Sequence, residues 1–144
     1  MIDYFRGENK FLSNFYPAMI TYDGIEYKTV ENAYQALKTL DMDLRQKISK
    51  MTPSEAKVEG NRIKLRTDWD KIKVKIMYEL VKQKFSNDHM LQWKLLQAKD
   101  DMIIEGNTWH DNFWGNCFCN SCRYIEGLNY LGRILMQVRK ELAV

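Results

Sequence analysis

The sequence predicts an α+β fold, mostly α-helical, as a single domain over residues 1–144 with a small N-terminal β-hairpin. Three observations carry this. Apolar residues recur at helical spacing in successive stretches from about Val30 to Leu142. The N-terminal third instead alternates and is rich in aromatics, FLSNFYPAMITYDGIEYKTV. A length of 144 residues with 45% hydrophobic and 28% charged side chains suits one soluble domain, and two prolines with seven glycines are too few for a long linker.

In chain order, Met19–Tyr22 and Ile25–Lys28 flank Asp23-Gly24, the residue pair that a type I′ hairpin turn prefers. A first helix is predicted over Val30 to Leu40, with Thr29 as N-cap and Val30, Ala33, Leu37 and Leu40 as its apolar stripe. A short second helix covers Met42 to Met51. Thr52-Pro53-Ser54-Glu55 combines cap, first-turn proline and reciprocal glutamate, and opens a third helix ending near Gly60. The longest helix starts at Thr67 or Asp68 and carries Trp69, Ile72, Ile76, Met77, Leu80, Val81 and Phe85 at helical spacing. Asn87 or Asp88 caps another through Leu91, Leu95 and Leu96. Residues 100–126 read as irregular, and a final helix from Leu128 to Leu142 aligns Leu128, Leu131, Ile134, Leu135, Val138 and Leu142.

Several function classes fall away. No apolar run approaches the length of a membrane span, and the N-terminus MIDYFRGENK has no signal-peptide core, so a cytoplasmic location with no membrane partner is expected. The net charge of +3 permits nucleic-acid binding without requiring it, because charges alternate in sign along most of the chain. Phosphate-binding glycine loops, dinucleotide fingerprints, H-E-x-x-H and G-x-S-x-G are all absent.

Three clusters remain. Glu31, Gln35 and Lys38 are spaced i, i+4, i+7 on one helix face. They read either as a solvated face or as a carboxylate and an amine held about two turns, roughly 10 Å, apart and aimed at one substrate. Glu105–Gly115, EGNTWHDNFWG, gathers carboxylates, an imidazole and two tryptophans in a loop, where function concentrates, or else is a packed aromatic loop with a capping aspartate. Cys117, Cys119 and Cys122, with His110, could form a Cys3His zinc set. Against zinc stand the short C-x-C-x2-C spacing and the absence of a second C-x2-C, and the segment is read first as a loop of reduced thiols tightened by Asn and Gly. Three clustered cysteines argue against a disulfide framework.

The order FLSNFYP, then VENAYQALK, then a helix opening at Trp69 and closing with Lys84-Phe85, then an acid before DNFWG, then GLNYLGRILMQVR, resembles the NADAR (YbiA-like) family from about Phe11 to Arg139. That resemblance implies a mostly helical YbiA-like fold and an N-glycosidase, with two associated substrate classes. One is ADP-ribose on guanine, as nucleoside or in nucleic acid. The other is the phosphoribosylated pyrimidine intermediates of riboflavin biosynthesis. Position by position, it implies Glu31, Lys38 and Asp111 as catalytic, and Trp69, Glu105, Trp114, Gly115 and Asn129 as substrate-binding. The cysteine segment is where the family pattern varies.

Breaking a C1–N bond calls for a proton donor to the base and a carboxylate to stabilise the sugar or activate water, jobs for Glu31 and Asp111 in either order. Lys38 either binds phosphate as a point charge or, if its amine is neutral, attacks C1 and forms a Schiff base; the resemblance favours the second. Trp69 and Trp114 offer faces for stacking a base. Arg6, Arg62 and Arg66 are phosphate candidates on charge alone. No metal or cofactor is required by these steps. A reading from another class is a non-enzymatic Cys-rich zinc and nucleic-acid module.

Overall fold

The predicted hairpin is present and is closed by two residues in left-handed backbone, Asp23 at φ 48° and Gly24 at φ 79°, as a type I′ turn demands. It joins β1 (Ile20–Tyr22) to β2 (Ile25–Tyr27) in the register Ile20↔Tyr27, Thr21↔Glu26, Tyr22↔Ile25. Period-2 alternation then sends Ile20, Ile25 and Tyr27 into the core and leaves Thr21 and Glu26 in water. The computed structural model describes residues 1–144 and divides them into two compact units, Asn14–Asp88 and Met1–Ser13 with His89–Val144. The mostly helical α+β class is the one the sequence predicts.

In the Asn14–Asp88 unit the hairpin is followed by α1 (Val30–Ala36), α2 (Met42–Ser49), α3 (Pro53–Gly60) and α4 (Trp69–Ser86). Helix α1 is the centre, packed against α2, α3, α4 and both strands. All seven of its residues are buried. Thr29 caps it, accepting from Asn32 N–H at 3.0 Å. Asn32, fully out of water, donates through Nδ2 to the carbonyls of Ile48 (3.0 Å) and Met51 (2.8 Å), so its amide satisfies the C-terminal end of α2. Helix α1 is shorter than predicted because Arg66 takes its terminal carbonyls: Arg66 N donates to Lys38 O at 2.8 Å and Nη1 to Leu37 O at 3.4 Å.

The ends of the other helices follow local chemistry. Thr52 and Glu55 form the predicted capping box on α3, with reciprocal bonds of 2.9 and 3.1 Å. Arg45 of α2 is buried, donates to Thr39 O and pairs with Asp23 at 2.8 Å, tying the helix to the hairpin turn. Gln83 of α4 meets strand β1 with both ends of its amide, accepting from Thr21 N at 2.6 Å and donating to Thr21 O at 2.9 Å, as a neighbouring strand would.

The second unit holds a 3-10 helix (Gly7–Leu12), α5 (His89–Gln97), the two-residue strands β3 (Gly106–Asn107) and β4 (Asn116–Cys117), a 3-10 turn (Asn120–Cys122) and α6 (Tyr130–Leu142). Strands β3 and β4 pair in parallel within the stretch expected to be irregular. Ile2 bridges Ile103, its N–H donating to Met102 O and its carbonyl accepting from Ile104 N, each at 2.8 Å. Helix α6 buries Leu131, Ile134, Leu135 and Val138, but it begins at Tyr130 rather than Leu128, which stays exposed. Asn129 sits in left-handed backbone at φ 52°. The amides of Asn129, Tyr130 and Leu131 donate to the carbonyls of Gly115, Phe113 and Trp114, so backbone rather than a side chain caps this helix.

Replacing Asn32 with Ala is expected to take the side-chain donor from the Met51 carbonyl and leave the Ile48 carbonyl only its backbone bonds, such as that from Met51 N at 3.1 Å, lowering stability by about 1–2 kcal/mol. Thr52→Ala, which removes only an exposed cap, is expected to cost about 1 kcal/mol. Urea unfolding of both variants reads the difference.

Candidate active site

Within the Asn14–Asp88 unit, Glu31, Lys38, Trp69 and Arg66 gather around α1. Glu31 is 8% exposed and Gln35 4%, so the face on which they lie is not a solvated one. Glu31 N donates to Asn14 O at 3.0 Å, and Gln35 Nε2 lies 3.5 Å from Glu31 Oε2. Gly60 leaves room for Gln35, because a Cβ there would collide with its carboxamide. Lys38 lies two residues past the end of α1 and is half-buried, with Nζ 3.5 Å from Gly60 O and 5.5 Å from the centre of the Tyr34 ring. Burial pulls its pKa below the usual lysine value, the Glu31 charge works against that shift, and Lys73 and Lys57 add to it. Trp69 is buried and tilted against Tyr34, ring centres 5.2 Å apart.

The arginines divide. Arg66 is committed to Asp68 by two bonds of 2.7 and 3.2 Å and to the end of α1. Arg62 is exposed. In the other unit Arg6 is exposed and lies 4.3 Å over the Tyr4 ring.

In that second unit Glu105, Asp111, Trp114, Gly115 and Asn129 form another group. Asp111 Oδ1 accepts from Phe113 N (3.1 Å) and Trp114 N (2.9 Å), which folds the D-x2-W turn and leaves Oδ2 outside that cap. Asn129 holds the segment that carries Glu105: Oδ1 accepts from Glu105 N and Nδ2 donates to Ile103 O, both at 2.9 Å. Both ends of its carboxamide are thus engaged with backbone. Gly115 abuts Glu105 so closely that a Cβ would strike both its carboxylate and its carbonyl. Trp114 is half-buried, edge-on to Phe113 with centres 4.8 Å apart.

The thiols lie beside this group. The short spacing does not keep the ligand atoms apart, for those of His110, Cys117, Cys119 and Cys122 all fall within 4.8 Å of one another. Hydrogen bonds from Ser121 and then Cys117 hold the Cys119 thiol low, at about 6, while burial pushes the Cys122 thiol up.

A family model described as the NADAR domain matches residues 4–143. The chain belongs to the NADAR family. An N-glycosidase of Nostoc punctiforme is 38% identical over 136 residues, covering 90% of this NADAR chain and 83% of its own length. A Zea mays protein named riboflavin biosynthesis protein PYRR, chloroplastic, is 36% identical over 148 residues, which cover 90% of this chain. The aligned region is only 23% of that maize protein. The NMR structure of the E. coli protein YbiA matches with a TM-score of 0.81 at 30% identity, covering 99% of this chain and 85% of that one.

Sequence reading passed over the residues that hold the NADAR loop. Asn107, 1% exposed, donates to Asp111 O at 2.8 Å and accepts from Trp109 N and Asp111 N. Asn112 accepts from Cys117 N at 2.8 Å, and Asn116 from Gly127 N at 2.7 Å. Their only signal was the density of asparagine between Glu105 and Cys122. In the sequence Lys84 stands out only as part of the Lys84-Phe85 block. It is 2% exposed, lies 5.8 Å from the Tyr16 ring centre, and lines a cavity of about 420 Å³ with Ala18, Met19, Thr21, Gln83, Asn87 and Asp88. None of the sequence-predicted site residues lines that cavity.

Burial pushes the Lys84 pKa from 10.5 down to about 7. In the unfolded chain this amine stays protonated until about pH 10.5, whereas folded it is neutral above about 7, so unfolding takes up a proton in that window and stability rises with pH there. Lys84→Met is expected to remove up to about 1.4 kcal/mol per pH unit from that slope, read by urea unfolding between pH 7 and 10.

Proposed function

We propose that this chain is an N-glycosidase that hydrolyses the C1–N bond between ribose and a base, and that it removes ADP-ribose from ADP-ribosylated guanine. The observation that carries the chemistry is the half-buried Lys38 amine, its pKa lowered by burial, near a Glu31 that is itself withdrawn from water. Relatives named N-glycosidases support the reaction class. The guanine substrate rests on the family resemblance. A second substrate, the phosphorylated pyrimidine riboside of riboflavin synthesis, is favoured by the name of the maize relative.

In this reading the neutral Lys38 amine attacks C1 while the C1–N bond breaks and its electron pair goes to the base nitrogen. That nitrogen takes a proton from a carboxylic acid. The ribose C1–O4′ bond then opens to give a Schiff base, with O4′ taking up a proton, and water adds to the imine carbon, restoring the amine and releasing the sugar. Lowering the lysine pKa raises the neutral, attacking fraction near pH 7. Glu31, in the same unit as Lys38, is assigned acid or base work in this step. The Tyr34 ring, with Trp69 packed on it, lies beside Lys38; Gly115 and Asn129 fix where Glu105 sits.

Lys38→Ala is expected to lower turnover on ADP-ribosylated guanosine by at least about 100-fold, and Glu31→Gln by about 100- to 10,000-fold. Borohydride added during turnover should trap a ribose adduct on Lys38 by mass spectrometry; full activity in Lys38→Ala would remove the Schiff-base role. kcat/KM should rise with pH through the lowered lysine pKa and level off below pH 10.5, the ordinary lysine value. Parallel assays of ADP-ribosylated guanosine and the riboflavin intermediate rank the two substrates.

A further inference from the structure

The three sulfurs reach one nitrogen by two local geometries. Cys117 ends β4 and Cys119 follows in extended backbone (φ −70°, ψ 164°), so the i, i+2 relation turns both side chains to one side. Phe118 between them points the other way, exposed and against Tyr4, with ring centres 5.8 Å apart. Cys122 then returns through the 3-10 turn, its N–H donating to Cys119 O at 3.1 Å. His110 comes from upstream in a left-handed conformation, φ 69°, which a non-glycine residue adopts at a cost and keeps only where its surroundings impose it.

The distances decide what this arrangement is for. His110 Nδ1 lies 3.3 Å from Cys122 Sγ, 3.4 Å from Cys119 Sγ and 3.9 Å from Cys117 Sγ. An imidazole nitrogen has one proton or one lone pair in the ring plane, so one hydrogen bond accounts for one sulfur and leaves two unexplained. A tetrahedral ion with Zn–S about 2.3 Å and Zn–N about 2.0 Å separates each sulfur from the nitrogen by about 3.5 Å, in the middle of the observed range. All three cysteines are free thiols. Soft thiolates with one imidazole form the donor set of structural zinc. Supporting bonds are present too: Asn112 Nδ2 donates to Cys122 Sγ at 3.5 Å, and Ser121 Oγ lies 3.2 Å from Cys119 Sγ.

We propose that His110, Cys117, Cys119 and Cys122 bind one structural Zn2+ ion. Its ligands bracket Asp111–Asn116, so the ion clamps both ends of the D-x2-W-G turn. Two of the four ligands, Cys117 and Cys122, are buried, which places the metal at the edge of the unit's interior with no open coordination position for a substrate.

The test uses the whole chain, purified under reducing conditions and dialysed against metal-free buffer. Elemental analysis should find about one zinc per chain. Protein stripped by chelator and titrated with Co2+ should show a thiolate-to-cobalt charge-transfer band and the strong visible bands of a tetrahedral site, saturating near one equivalent. Cys119→Ser alters the least buried sulfur and is expected to weaken Co2+ binding at least about tenfold; His110→Ala should do the same. Zinc below about a tenth of an equivalent with no uptake of added Zn2+, a pale six-coordinate cobalt spectrum in the wild-type chain, or unchanged affinity in both variants would overturn the proposal.

Discussion

A seven-residue helix withdrawn from water on every side has no face for solvent, and the Asn14–Asp88 unit is arranged around that constraint. Helices α2, α3 and α4 and the hairpin are the neighbours that enclose α1. Its polar residues therefore need partners inside the protein. Asn32 finds them in the carbonyls of Ile48 and Met51 at and just past the end of α2, and Gln35 reaches Glu31 through Nε2, while its Oε1 is left without a hydrogen bond. The same enclosure keeps Glu31 from water and lowers the proton affinity of Lys38. Packing and the lowered lysine pKa in this unit thus have one cause.

Where a signal is local, the sequence was readable. The Asp-Gly turn, the Thr29 cap and the Thr52–Glu55 box each depend on residues a few positions apart, and each forms as expected. Helix ends set by distant residues were not readable. Periodicity carried α1 on to Leu40, but Arg66, almost thirty positions from Leu37 in sequence, takes the carbonyls that would continue it. Leu128 fits the stripe of the last helix, yet the carbonyls of Phe113, Trp114 and Gly115 set its first turn two residues later.

The surroundings of the candidate residues follow the same division. Motif order singles out Trp69 and Asn129 but says nothing of their neighbours: one is packed on Tyr34, and the other bonds the backbone of Ile103 and Glu105. The loop from Glu105 to Cys122 has no hydrophobic period because amides and carbonyls, not apolar stripes, hold it. Asn107, Asn112 and Asn116 supplement there, through their side chains, the short β3–β4 pairing. The density of asparagine marks such a loop but does not say which backbone groups each one bonds.

The bridge from Ile2 to Ile103 joins residues about a hundred positions apart. During synthesis, Met1–Ser13 leaves the ribosome long before its partners in His89–Val144 exist, while every contact within Asn14–Asp88 can already close. The middle of the chain is thus placed to fold first, and the Ile2–Ile103 bridge can close only after the last third of the chain has been made.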